Sequence, residues 1–180
     1  MDLFSGWGNL VYFDTEEHQI SPERRVITKL PKLGSQWKII HDFKPTEYLQ
    51  EADPIGPPLG LCVGTGKAPG NSFVGICFRF PNILLAEEIV GDNNQIQVQR
   101  AIQSTQLPKV GEWTRIEICH EMVDGKYFLS LSVGGTEVGR KEVTNPDLRR
   151  LTDAKVLIGI PDREQYQPGF IRRLVILEKR

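Results

Sequence analysis

The chain has 180 residues, 39% hydrophobic and 25% charged, proportions that fit one folded domain with a sizeable core. A formal net charge of -1 excludes a global attraction to nucleic acid or to an acidic membrane surface; the late basic residues (Arg149, Arg150, Arg172, Arg173, Lys179, Arg180) read as solvated faces and a basic tail. No run approaches the roughly 18 continuous apolar residues of a membrane helix, and the first seven residues lack the basic and apolar regions of a signal peptide.

The 17 Gly and 12 Pro fall between short apolar runs instead of gathering in a linker. That punctuation marks many short strands, not alternating strands and helices. Residues 1–180 therefore read as a single all-β domain, an antiparallel β-sandwich. In chain order, strands are predicted over 10–14, 25–30, 36–44, 59–65, 73–80, 95–102, 113–123, 126–133, 136–143, 155–160 and 170–177. Residues 82–90 suit either a strand or a helix turn, and Asn145-Pro146-Asp147-Leu148 reads as a turn or a short helical connection.

Within 36–44, Trp37, Ile39, His41 and Phe43 share one face, and Pro45 ends the strand because it cannot donate to a ladder. The next two strands read as a hairpin pairing Thr65 with Val74, Val63 with Ile76, Leu61 with Phe78 and Leu59 with Phe80. That register sets Cys62 opposite Cys77, which makes a cross-strand disulfide possible, on a face that also carries Arg79. An oxidising compartment would close that bond, and a cytosolic one would leave two thiols. Cys119 is the odd cysteine, outward-facing beside Ser130.

Asp124-Gly125 is a two-residue hairpin signal, since both residues tolerate positive φ. Pairing outward sets His120 opposite Leu129, Ile118 opposite Leu131 and Ile116 opposite Val133, with Arg115, Glu117, Glu121, Ser130 and Ser132 on the other face. A one-residue slip would scramble both faces, so this register is well specified. Gly134-Gly135 then turns the chain, bringing Val138 opposite Leu131. Trp113 is expected in the core at the start of its strand, where truncation to Ala would cost ~3–5 kcal/mol. In the last strand, Phe170, Arg172, Leu174 and Ile176 alternate with Ile171, Arg173, Val175 and Leu177, so both faces read as largely apolar.

The run Gly111-Glu112-Trp113-Thr114-Arg115-Ile116-Glu117-Ile118, then Asp124-Gly125-Lys126-Tyr127 and Val133-Gly134-Gly135, resembles the central strands of the concanavalin A-like superfamily. That superfamily includes laminin G-like domains, galectins and related lectins, and Pro168–Ile176 resembles its closing strand. The resemblance implies a jelly-roll sandwich, often used to bind glycans or glycoproteins. His41-Asp42-Phe43-Lys44-Pro45 resembles the galectin His-Phe-Asn-Pro-Arg run, with Phe43 in place of its Asn and Thr46 in place of its Arg.

Catalytic signatures are missing from the sequence. Glycosidase relatives carry alternating acids on one strand; Glu87-Glu88-Ile89-Val90-Gly91-Asp92 does not match, and Glu117 and Glu121 face outward. The three Cys and three His show no zinc spacing, and Cys119 and His120 point to opposite faces. Gly64-Thr65-Gly66-Lys67 lacks the full phosphate-loop pattern.

His41 and His120 lie on core-like faces. Each is either a buried imidazole with a hydrogen-bond partner or, in the functional reading, a group on a concave binding sheet. The candidate ligand residues are Asp92, Asn93, Asn94, His41 and Arg79. Asp92 and Asn94 beside Gly91 offer oxygens for a calcium ion, although such loops also serve as plain turns. The expectation is a non-catalytic recognition module, extracellular or at a cell surface, for a glycan or glycoprotein. The alternative is a protein–protein adhesion or scaffold domain of laminin G-like type, and a glycoside hydrolase ranks below both.

Overall fold

The two-residue turn at Asp124-Gly125 organises the middle of the chain. Asp124 has φ 49° and Gly125 φ 78°, the left-handed pair that matches the twist of the strands it joins. The computed structural model describes residues 6–21, 25–48, 59–64, 72–79, 83–92, 95–143, 151–158 and 168–179. Among them the regular structure is all strand: β1 Asn9–Asp14, β2 His18–Ile20, β3 Arg25–Leu33, β4 Trp37–Pro45, β5 Leu59–Gly64, β6 Ser72–Arg79, β7 Ile83–Asp92, β8 Gln95–Ser104, β9 Thr114–Val123, β10 Lys126–Val133, β11 Thr136–Val143, β12 Leu151–Ile158 and β13 Gly169–Glu178. Asn145–Leu148 lies outside the described residues.

The strands form two antiparallel sheets. One is seven-stranded in the order β1-β13-β4-β9-β10-β11, with β2 also on β13; the other is six-stranded in the order β3-β12-β5-β6-β7-β8. Between them sits the main core, in which Trp37, Ile39, Phe43, Ile116, Ile118, Leu131, Leu174 and Ile176 meet Leu30, Leu33, Ile102, Val156 and Ile158 of the facing sheet. Pro31 falls in β3, an edge strand, where a missing backbone donor is tolerated. The ambiguous stretch 82–90 is strand β7, paired along both its edges. Strand β2 went unpredicted because three residues are too few to show a period.

The β9–β10 register is the expected one, from Val123 opposite Lys126 to Ile116 opposite Val133. Two other registers differ. A bulge between Leu131 and Ser132 sets Leu131 opposite Gly139, not Val138. In the β5–β6 hairpin, Val63 pairs with Val74, Leu61 with Ile76 and Cys62 with Gly75, while Cys77 faces Leu59. Between Leu61 and Val63 the slip is two residues, a shift that period-two alternation cannot detect, and bulges at Leu59/Leu61 and Val63/Gly64 shift the ends further. The direct opposition that argued for a Cys62–Cys77 disulfide is therefore absent.

A second, smaller apolar cluster covers part of the seven-stranded sheet's outward side: Trp7, Ile40, Cys119, Val175 and Leu177. Cys119, expected to face solvent, is buried there and is a free thiol beside Ser130. Burial, reinforced by the Glu121 carboxylate, pushes that thiol up to about 12.

Candidate functional site

The outward face of the seven-stranded sheet runs in rows across β13, β4 and β9. At the capped end the rows are Leu177–Lys38–Cys119 and Val175–Ile40–Glu117, beneath Trp7. The next row is Arg172–Asp42–Arg115, each residue directly opposite its neighbour, and beyond it Phe170 stands opposite Lys44. Trp113, just before β9, shares the parity of Arg115 and Glu117 and joins this polar end.

Two features of β13 build the polar end. Gly169 lets the strand start close to β4, since a Cβ there would lie 2.6 Å from the Lys44 carbonyl oxygen and 2.8 Å from the Phe43 ring. Arg173 has φ 53°, and the β13–β4 register shifts between Arg172 and Val175. Left-handed backbone at a non-glycine costs about 1–3 kcal/mol. The bulge inverts the alternation, so Ile171, Leu174 and Ile176 face the core while Phe170, Arg172, Val175 and Leu177 face outward. It also brings two consecutive arginines to one carboxylate, which regular alternation forbids. The expected grouping of Leu174 and Ile176 with Arg172 is corrected accordingly.

Asp42 is 7% exposed. Its Oδ1 lies 3.9 Å from Arg115 Nε, and its Oδ2 lies 3.5 Å from Arg172 Nε and 3.6 Å from Arg173 Nη1. Arg172 stacks on Trp113 with its guanidinium carbon 4.0 Å from the ring centroid. Lys44 Nζ lies 4.7 Å from the same ring and 5.0 Å from that of Phe170. The turn preceding Trp113 is tied to β4 by Gly111 N donating to the Pro45 carbonyl at 2.8 Å. Trp113 is therefore half-buried under cations, not a core residue. The parity of Arg115 and Glu117 already carried that signal. Nothing in the sequence announced the bulge, because Arg173 is not a glycine.

Of the predicted ligand residues, His41, Arg79 and Asp92 lie apart from one another. His41 points into the sandwich opposite Ile116 and is 2% exposed; burial pushes its imidazole down to about 3, so it stays neutral. His120 is likewise internal, stacked between Trp37 and Tyr127, with its Nδ1–H donating to the Ser35 carbonyl at 2.7 Å. Arg79 closes β6 opposite Ile83, whereas Asp92 closes β7 opposite Gln95. Those two positions are about 30 Å apart along β7. Asn93 and Asn94 lie outside the described residues.

The sequence reading also missed a polar corner between β1 and β2. His18 Nε2–H donates to Asp14 Oδ2 at 2.6 Å, the Glu16 amide donates to Asp14 Oδ1 at 2.8 Å, and Tyr12 and Ile27 help line a cleft of about 310 Å³. Burial opposes ionisation of Asp14, but the His18 and Glu16 hydrogen bonds outweigh it and hold the carboxyl below its usual range. The Asp14-x-Glu16-x-His18 spacing was the available signal. Because its groups already bond to one another, the corner reads as a structural turn.

No family model matches the chain, and no curated protein matches it. Solved structures do. The NanB sialidase of Streptococcus pneumoniae superposes with a TM-score of 0.65 at 14% identity, over 94% of this chain and 26% of its own. A SAP-like pentraxin of Limulus polyphemus gives 0.58 at 16% identity, over 91% and 74%. Domain 4 of the extracellular arabinanase AbnA of Geobacillus stearothermophilus, in complex with arabinotriose, gives 0.52 at 15% identity, over 98% and 85%. The chain spans about a quarter of the sialidase's length. At such identities the likeness is one of fold, and the fold is the concanavalin A-like jelly roll.

Proposed function

We propose that the chain is a non-catalytic carbohydrate-recognition module, and that its ligand surface is the polar end of the outward face around Trp113. One observation carries this reading: Arg115, Arg172 and Arg173 surround Asp42 beside a half-buried tryptophan and Phe170. Sugars present hydroxyl oxygens along their edges and apolar C–H groups on their faces. A surface of fixed guanidinium donors next to aromatic rings complements both. The arabinotriose held by one protein of the same fold supports the reading. Three acids on this face, Asp42, Glu121 and Glu137, are engaged by arginines, and Glu117 stands apart from them.

The test is a printed glycan array probed with the native chain and with Trp113→Ala. Binding to a defined set of glycans, weakened at least tenfold in the variant, is the expected result. No signal across the array, or an unchanged variant, would remove this surface from consideration.

A further inference from the structure

Among the described residues, the charges around Asp42 do not balance. One carboxylate faces three guanidiniums, which leaves an excess of two positive charges, and Lys44 on the same strand adds a third. The next outward acid on β9, Glu117, forms no ion pair within 4 Å among the described residues. Separations of 3.5 to 3.9 Å are also long for charge-assisted hydrogen bonds, which form at about 2.7–2.9 Å. Arg172 Nε is buried and has no hydrogen-bond partner among the described residues. Among the described residues, Asp42 thus gathers the three guanidiniums at separations longer than charge-assisted hydrogen bonds.

The backbone tells the same story at Arg173. A glycine would adopt φ 53° without strain, yet the position holds an arginine whose side chain is 60% exposed. The strained bulge keeps an exposed cation on the surface that, among the described residues, shares the single carboxylate of Asp42 with two other arginines.

We propose that this face binds an acidic saccharide. Arg172, Arg173 and Arg115 receive its carboxylate or sulfate oxygens, and Trp113, stacked on Arg172, borders them together with Phe170. Asp42 is the positioning residue that holds the three guanidiniums together. This inference rests on the carbohydrate reading above and names its ligand class.

The experiment is calorimetric titration of the full chain with four probes, at low and high salt. Octagalacturonate carries carboxylates, a heparin octasaccharide adds sulfates, maltooctaose is neutral, and a polyglutamate peptide is anionic without sugar. Binding of octagalacturonate and heparin, weakened by salt and absent for maltooctaose, is the expected outcome. Binding of heparin alone supports the proposal and assigns sulfate as the anion. Arg173→Gly keeps the backbone conformation while removing the guanidinium. It should lose about tenfold in affinity for the acidic probe with an unchanged or raised Tm. Arg140→Ala, distant in the sheet order, should bind as wild type. Maltooctaose binding as well as octagalacturonate would overturn the acidic class and leave the carbohydrate reading standing. Arg173→Gly binding as tightly as wild type would likewise overturn the assignment of this face to the anion. Polyglutamate binding without any saccharide, or no binding of any probe, would overturn both.

Discussion

Two arginine clusters share the outward face of the seven-stranded sheet, and they are built in opposite ways. Arg140 on β11 donates from Nε and Nη2 to the two carboxylate oxygens of Glu137 at 3.0 and 2.8 Å, and Glu121 lies 3.4 Å away. That hydrogen bonding lowers the Glu137 carboxyl and raises the Arg140 guanidinium. One cation there has two anions and a fork-on-fork geometry, so the cluster is complete in itself. Around Asp42 one anion has three cations, all beyond hydrogen-bond distance. The first arrangement is what a surface does to neutralise itself. The second leaves positive charge in excess among the described residues.

The largest effect that can sharpen this comparison comes from directly behind the Asp42 cluster. His41 is next to Asp42 on β4 but faces the core, and burial takes its pKa from 6.5 to about 3. Between those values the unfolded chain binds a proton that the folded chain does not. Stability is therefore complete above about pH 6.5 and is lost as pH falls toward 3, by up to ~1.4 kcal/mol per pH unit. Urea midpoints should fall through that window, and His41→Leu should flatten the fall. An equally steep loss in the variant would shift the acid limit to the carboxylates of the two clusters.

Next in size is the removal of one acid from each cluster. Asp42→Asn leaves three guanidiniums facing one another and should cost ~2–3 kcal/mol, partly recovered by salt. Glu137→Gln takes a carboxylate that is 43% exposed from an arginine that keeps Glu121, so solvent screening limits its cost to ~0.5 kcal/mol or less. Equal shifts in the two denaturation curves would break the contrast. Trp113→Ala falls between those two, at ~1–2 kcal/mol from lost cation–π contacts and partial packing. Trp37, fully buried, should lose ~3–5 kcal/mol on the same change. A Trp113 variant as damaged as the Trp37 variant would return Trp113 to the core.

Much of this architecture was legible along the chain, because it follows from local rules. Period-two alternation marked the inward residues of β4 and β9, and Asp124-Gly125 set the β9–β10 register by forcing a two-residue turn. The same alternation placed Trp113 with Arg115, although its size argued for the core. Other features were decided only by the assembled sheets. Between Leu61 and Val63 the β5–β6 register slipped by two because alternation is blind to even shifts. Asp42, Arg115 and Arg172 meet because β4 lies between β9 and β13, strands far apart in sequence whose adjacency depends on how both sheets close over the core. The bulge at Arg173 arises in that packing: Ile171, Leu174 and Ile176 all reach the core only if one extra residue is accommodated opposite His41, and the face beyond it acquires its second arginine as a consequence.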